Sequence, residues 1–245
     1  MTSPGTSTPS ASTPSTTTTP STTAPGTDLV AHARTDSAAG LDALLLAVGR
    51  LTADDLAGPS PLEGWTRGHV LSHVAGLGAA MVGQAQAAER GEVVPVYASQ
   101  EARTALIEAG AGRTVAEHVA ALTAVRDDLA RAWPQAGSPL WDAPSGYRGG
   151  PLSGCVLAWW REVRIHSVDA LHGTAQEVGY ETWDDSLGAH LRDFLAGRLP
   201  DGVTVDDIAG DPRDVTAWLA GRVPATPLPG DLPELGPWPS AVPAR

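Results

Sequence analysis

The chain of 245 residues contains no lysine, and all sixteen of its basic residues are arginine. This absence excludes Schiff-base catalysis by a side-chain amine, and it excludes a P-loop, which needs a lysine against the phosphates. Arginine is left as the one side chain with a fixed positive charge for a carboxylate substrate.

Cysteine is nearly absent as well. Cys155 stands alone, so no intrachain disulfide can form, and we expect the protein to work in a reducing cytoplasm. Chemistry that needs a thiol would use either Cys155 or a small-molecule thiol. The sequence has no run of about 18 apolar residues, so we expect no membrane span. Its N-terminus lacks the basic start and apolar centre of a signal peptide.

Positive charge is scarce overall. Acidic residues outnumber basic residues by 28 to 16, which gives a formal net charge of −12. The phosphates of nucleic acids and of anionic lipids would be repelled, so we expect no nucleic-acid partner and no membrane partner. Hydrophobic residues make up 42% of the chain, enough to build a core, and a monomer is favoured.

Composition and apolar spacing divide the chain into three segments. Residues 1–27 are almost entirely Ser, Thr, Pro, Ala and Gly, so we expect a disordered tail. Residues 28–173 show the spacing of four long helices, which predicts a helical bundle. Residues 174–245 are predicted to form a small α+β domain with short strands at residues 202–206 and near Ile208. The predicted helices cover residues 28–50, 66–90, 99–107, 114–133, 152–172, 187–197 and 212–221.

The stretch from Trp159 to Asp169 concentrates residues that can carry chemistry. Glu162 and His166 lie four positions apart, so in a helix both side chains project from one face and can reach one divalent cation. Apolar neighbours predict that this helix is buried, and a buried carboxylate needs a cation or hydrogen bonds. An exposed pair of charges is the alternative that the spacing leaves open.

A third ligand has to come from another helix, because two ligands do not close a metal site. His73 is the best candidate, since two histidines and one carboxylate leave coordination positions open, as catalysis needs. His69 competes with it, because His69 and His73 also lie four residues apart. A histidine satisfied inside the core is the ordinary interpretation of either residue.

Other polar residues have two interpretations each. Arg222 ends the last predicted helix, where a positive charge is favourable in itself, or it contacts an anion. Arg103 and Arg113 are salt-bridge partners or anion contacts. Cys155 lies seven residues before Glu162, about two helical turns away, and is either near the site or an inert buried thiol.

Taken together, these residues resemble the mycothiol-dependent maleylpyruvate isomerase family, whose bundle belongs to the DinB-like superfamily of thiol-dependent metalloenzymes. The resemblance extends from Asp28 to Trp238. Its motifs, in chain order, are Leu62–His73, Arg103–Ala111, Trp160–His166, Trp218–Arg222 and Leu232–Trp238.

The resemblance implies that His73, Glu162 and His166 bind zinc and that Arg222 belongs to the active site. It implies a cis–trans isomerase that converts the dicarboxylate maleylpyruvate to fumarylpyruvate with a small thiol, mycothiol or ergothioneine, in the breakdown of aromatic acids. Relatives attach a thiol to other electrophiles, so a thiol S-transferase is the alternative enzyme. A binding module without catalysis is the alternative from another class.

The residues fit this chemistry. Isomerisation about a conjugated double bond is slow because the π bond must be broken. A thiolate that adds to the alkene makes the bond single, and expulsion of the thiolate after rotation gives the trans product. Zinc held by two imidazoles and one carboxylate keeps a positive charge, which lowers the pKa of a coordinated thiol. Arg222 would pair with a substrate carboxylate and stabilise the developing enolate.

Overall fold

The structure, a computed structural model, describes residues 26–239. These residues form eight α-helices and no β-strand, although two isolated β-bridges join Pro59 to Thr66 and Pro144 to Pro151. The helices are α1 (Thr27–Val48), α2 (Ala53–Ala57), α3 (Arg67–Glu89), α4 (Gln100–Ala111), α5 (Val115–Ala132), α6 (Leu152–Leu171), α7 (Asp185–Leu195) and α8 (Pro212–Leu219).

The four long helices α1, α3, α5 and α6 form a bundle. Helix α6 packs against α1 and α3, and α5 packs against the same two helices, so the ring of contacts is closed. Threonine caps fix where two of these helices begin. The Thr66 side chain accepts a hydrogen bond from the backbone N–H of His69, and Thr114 accepts one from Glu117 in the same way. The predicted four-helix bundle is confirmed.

Helix α6 is buried along almost its whole length, because both α1 and α3 pack against it. Trp159 and Trp160 are 1% and 0% exposed, which makes them two of the largest side chains in the core. The indole N–H of Trp160 donates to the Asp36 carboxylate of α1 across 2.6 Å. Most residues of α6 that follow these tryptophans are therefore buried, and Glu162 and Arg164 are partly buried.

Helix α3 approaches its neighbours closely at two glycines. A Cβ atom at Gly78 would lie 2.2 Å from Val125 of α5. A Cβ atom at Gly68 would lie 2.2 Å from the carbonyl oxygen of Ala111, at the end of α4. Only a hydrogen atom fits at either place, so glycine allows this packing. The close contacts set the position of α3, and with it the position of His73.

The segment after α6 shares its apolar core with the bundle. Leu187 and Leu191 of α7 and Leu219 of α8 belong to the same cluster of buried residues as the bundle core. Arg161 of α6 adds a polar connection, because its guanidinium contacts His190 of α7 at 2.8 Å. The C-terminal helices are thus held against α6, on which two of the candidate site residues lie.

The predicted strands at residues 202–206 and near Ile208 are wrong. Val205–Asp207 form a short 3₁₀ helix instead. The Asp207 carboxylate accepts hydrogen bonds of 2.8 Å from both the backbone N–H and the hydroxyl of Thr204, which closes a turn. The alternation of valines resembled a strand, but no neighbouring strand is present among residues 26–239 to pair with it. The C-terminal segment is helical where it was expected to be α+β.

Two predictions fall outside what the structure tests. The disordered tail expected for residues 1–27 lies, apart from its last two residues, outside the described part of the chain, and α1 begins at Thr27. The domain boundary expected near residue 173 stays a prediction. None of the described helices has both the length and the apolar character needed to cross a membrane.

Candidate metal centre

Three polar side chains from two helices meet at one point in the bundle. The Nε2 atom of His73, on α3, lies 3.0 Å from Oε2 of Glu162, on α6. The Nε2 atom of His166, one turn further along α6, lies 3.1 Å from the same oxygen. His73 is 5% exposed and His166 is 9% exposed, so both imidazoles are largely shielded from water.

The geometry of this cluster fits a metal ion. One ligand atom from each residue can be chosen so that all three lie within 4.8 Å of one another. Tetrahedral bonds of about 2.0–2.1 Å would place two ligand atoms roughly 3.3 Å apart, close to the two separations observed. Two imidazoles and one carboxylate are a donor set that suits zinc and leaves a position open. No other cluster of three such side chains occurs among residues 26–239.

A second carboxylate orients His166. The Nδ1 atom of His166 donates to Oδ2 of Asp169 across 2.8 Å, and Asp169 is 0% exposed. Asp169 in turn accepts a hydrogen bond from Nε of Arg222 at 3.1 Å and another from its Nη2. A carboxylate on Nδ1 fixes the proton there and leaves the Nε2 lone pair free for a metal. Asp169 ends the stretch singled out from the sequence, but no role was predicted for it, although its position three residues after His166 was the available signal.

Burial and hydrogen bonding compete in setting the protonation of these groups. Burial raises the pKa of Glu162, but hydrogen bonds from His166 and His73 outweigh it and hold that pKa well below its usual value. Burial lowers the pKa of His166, yet Asp169 and Glu162 outweigh it and raise that pKa to about 9. Burial lowers the pKa of His73. The pKa of Asp169 falls to about 2, because its hydrogen bonds with His166 and Arg222 outweigh the effect of burial.

His69, the competing histidine, lies outside the cluster. Its Nδ1 accepts a hydrogen bond from the backbone N–H of Thr66 at 3.2 Å and lies 2.7 Å from the Thr66 hydroxyl, as the partner in the helix cap of α3. Its Nε2 lies 3.4 Å from Glu108. Both ring nitrogens of His69 are therefore used elsewhere, and the structure brings His73 to Glu162 and His166.

The cluster lies in the wall of a cavity of about 370 Å³. Three arginines line the same cavity, Arg103 of α4, Arg198 after α7 and Arg222 after α8. Burial and the charge of Arg222 both lower the pKa of Arg198, as expected where guanidinium groups face one another. The cavity thus gathers positive charge in a protein whose net charge is negative. Arg113, which the sequence offered as an anion contact together with Arg103, is not among the lining residues.

Two lining residues, Arg198 and Trp238, and their neighbour Tyr97 were not predicted from the sequence as parts of a site. Arg198 donates from Nε to the carbonyl of Gly236 across 2.9 Å, and its guanidinium lies 5.7 Å from the ring of Trp238, which also lines the cavity. Tyr97 lies close to Arg103 and Glu162, whose charges shift the pKa of its hydroxyl in opposite directions. Burial has the largest effect and raises that pKa to about 12. No sequence spacing connects these residues, because they come from three separate segments, and Arg198 ends a short 3₁₀ helix, Ala196–Arg198.

Cys155 is a buried thiol away from this cavity. Its side chain is 0% exposed and lies 3.5 Å from the Ser145 hydroxyl. Burial raises the pKa of the thiol to about 11, so at neutral pH it carries its proton. This arrangement agrees with the inert buried thiol that was one of the two sequence interpretations.

Comparison with known proteins identifies the family. The profile of the mycothiol maleylpyruvate isomerase N-terminal domain matches residues 37–171, more than half of the chain. The chain belongs to this family. The maleylpyruvate isomerase fold extends further, because a crystal structure of the mycothiol-dependent maleylpyruvate isomerase superposes with a TM-score of 0.73 over 85% of this chain and 97% of that one. This similarity agrees with the predicted helical bundle, while the α+β part of the predicted fold class is replaced by helices.

The same superposition holds for a histidine-to-alanine mutant of that protein. Sequence identity is 21% in both cases, so the similarity to these two structures shows that the fold is shared and does not show that the reaction is shared. No curated protein matches the chain.

Proposed function

We propose that this member of the maleylpyruvate isomerase family is a zinc- and thiol-dependent cis–trans isomerase that converts maleylpyruvate to fumarylpyruvate. The observation that carries the proposal is the His73–Glu162–His166 cluster in the wall of a cavity lined by arginines. The chain's own thiol is buried and protonated, so the nucleophile would be a small thiol such as mycothiol or ergothioneine. The cytoplasmic location and the monomeric state stay predictions.

In the proposed site, His73, Glu162 and His166 would hold the zinc ion. When bound, zinc would supply a positive charge that lowers the pKa of a coordinated thiol. In the metal-loaded site Asp169 would keep the proton of His166 on Nδ1, which leaves the lone pair of Nε2 for the metal. Arg222 holds Asp169 in place by two hydrogen bonds and lines the cavity with its charge.

The cavity would hold the substrate by charge and shape. Guanidinium groups pair with the carboxylates of the substrate, and they oppose the negative charge that develops on its enolate during thiolate addition. Trp65 and Leu62 line the same cavity and exclude water from the reacting bond. The thiolate that adds to the alkene leaves unchanged after rotation, so the reaction consumes no oxidant and no proton overall.

The test is a thiol-by-substrate assay with the full chain loaded with zinc. Maleylpyruvate loss should be stimulated by mycothiol or by ergothioneine, and no stimulation by either thiol would remove the isomerase proposal. A stable thioether product would identify the S-transferase instead. Zinc and ligand binding with no turnover on any electrophile tried would favour the binding module.

Metal content tests the ligand set separately from the reaction. We expect about one zinc ion per chain, as for a site with three protein ligands. Zinc should be lost in the His73→Ala, Glu162→Ala and His166→Ala variants. The control is His69→Ala, which removes a helix-cap partner and should keep the zinc. Loss of zinc in His69→Ala with retention in His166→Ala would contradict the proposed ligands.

A further inference from the structure

The three arginines of the cavity differ in how much of each guanidinium is already used. Arg222 donates from Nε and Nη2 to Asp169 and from Nη1 to the carbonyl of Ala220, so three of its five N–H groups are occupied. Arg198 donates to the carbonyls of Gly236 and Leu219. Both guanidinium groups are hydrogen-bonded to carbonyl or carboxylate oxygens of the protein, and these bonds restrict their rotation toward a ligand.

Arg103 is the least committed of the three. The one hydrogen bond of standard geometry that its guanidinium makes among residues 26–239 joins Nη2 to Nδ1 of His73, at a long 3.4 Å. The Tyr97 hydroxyl lies beside it. Arg103 takes part in no salt bridge with any described carboxylate, whereas Arg222 is paired with Asp169. A guanidinium that lines a cavity without a carboxylate partner has N–H groups free to bind the anionic group of a ligand.

The contact with His73 is itself weakened once His73 binds a metal. A histidine that offers Nε2 to a metal carries its proton on Nδ1. Nδ1 of His73 and Nη2 of Arg103 are then both donors, so neither satisfies the other. A carboxylate oxygen accepts from either group, and it would replace this unfavourable contact beside the metal position. The loaded site thus favours an anion at Arg103 more than the metal-free site does.

We propose that Arg103 is the residue that binds a carboxylate of the substrate, whereas Arg222 acts mainly through Asp169 as a positioning residue. The proposal rests on the proposed function, because it names the group that recognises the dicarboxylate. It places the carboxylate against Arg103 of α4 and not against Arg198 or Arg222 of the C-terminal segment. The substrate class is a short dicarboxylate, in which one carboxylate lies near the bond that the thiol attacks.

The test measures binding of maleate, a small cis dicarboxylate, to the zinc-loaded full chain by isothermal titration calorimetry. Arg103→Met should weaken the Kd for maleate by at least about tenfold, the loss expected for one charged hydrogen-bonded pair. Arg103→Lys keeps the charge but loses the planar fork, so an intermediate Kd is expected. The matched control is Arg113→Met, which removes an arginine of the same segment outside the cavity and should leave the Kd unchanged.

Zinc content and thermal unfolding of each variant show whether it is folded and loaded. A Kd for Arg103→Met equal to that of the wild type would overturn the inference, and so would the absence of maleate binding to the zinc-loaded wild type. Equal weakening by Arg113→Met would overturn it as well, because the effect would then follow net charge and not position.

The inference and the proposed function can fail separately. Arg103-dependent maleate binding in a protein that does not isomerise maleylpyruvate would support the inference and remove the isomerase. Thiol-stimulated isomerisation with an unchanged KM in Arg103→Met would overturn the inference and leave the isomerase standing. A raised KM with a nearly unchanged kcat is the kinetic result expected if Arg103 binds substrate and transition state alike.

Discussion

Asp169 accepts a hydrogen bond from Nδ1 of His166 across 2.8 Å, with the carboxylate wholly buried. The contact lies behind the imidazole, on the side away from Glu162. A buried carboxylate in this position balances the charge of a protonated imidazole. It also fixes the orientation of the ring, so that Nε2 faces the cavity. Arg222 supplies the compensating charge for Asp169, since its guanidinium approaches both carboxylate oxygens.

Replacing Asp169 by asparagine should weaken zinc binding without removing a ligand. We expect the zinc affinity to fall by about 10- to 100-fold, the usual cost of losing a carboxylate that orients a metal-binding histidine. Competition with a coloured chelator measures the affinity. The matched control is Asp214→Asn, which changes another buried carboxylate, one that accepts from the backbone N–H of Ala225 at 2.7 Å. Equal zinc affinities for the two variants would contradict the role given to Asp169.

Cys155→Ala should leave the thiol requirement of the reaction unchanged. The Cys155 thiol is buried beside Ser145, and its pKa of about 11 keeps it protonated at neutral pH. An added thiol should therefore stimulate the variant and the wild type to the same extent in the maleylpyruvate assay. Loss of activity in a Cys155→Ala protein that is folded and carries zinc would show that the chain's own thiol takes part.

Two glycines of α3 should respond to alanine with opposite signs. At Gly78 a Cβ atom would lie 2.2 Å from Val125, so Gly78→Ala overpacks the core and should cost about 1–3 kcal/mol of unfolding free energy. At Gly76 no atom lies within 4 Å of the added Cβ, so Gly76→Ala should gain about 0.5–1 kcal/mol from helix propensity. Urea unfolding of both variants measures the difference. Changes of the same sign would contradict the packing of α3 against α5.

His118 should make the protein less stable in acid. Its side chain is 0% exposed, and neither ring nitrogen makes a hydrogen bond of normal geometry among the described residues. Burial and the charge of Arg113 lower the pKa of His118 to about 4, and the nearby Ala111 carbonyl and Glu117 oppose this shift only in part. The folded protein therefore keeps His118 neutral at a pH where the unfolded chain takes up a proton.

The stabilising contribution of neutral His118 is fully present above pH 6.5, roughly the value in an unfolded chain. It is lost as the pH falls from there toward 4, because the unfolded state binds more protons in that window. We expect His118→Leu to reduce the loss of unfolding free energy over this range by on the order of 2 kcal/mol. Urea unfolding at pH 7.5 and at pH 4.5 measures it. An equally steep loss in the variant would contradict the assignment.

Helix positions were predicted well from the sequence because helix signals are local. The caps at Thr66 and Thr114 and the glycine after Arg90 bound α3 and α5 within a residue or two of the predicted ends. The predicted strand at residues 202–206 is wrong because strand formation, unlike helix formation, does not depend on local signals alone. A strand exists only when another strand pairs with it, and the local bonds between Thr204 and Asp207 decide the conformation where no partner is present.

The sequence by itself determined that Glu162 and His166 share a helix face, because 3.6 residues per turn place positions four apart side by side. It also determined that any fixed positive charge in the site is an arginine. Only the tertiary structure decided between His73 and His69, since both lie on α3 and the packing of α3 against α6 selects which one reaches Glu162. The gathering of three arginines around one cavity was likewise decided by packing, because contacts between distant segments depend on the whole core and not on any local spacing.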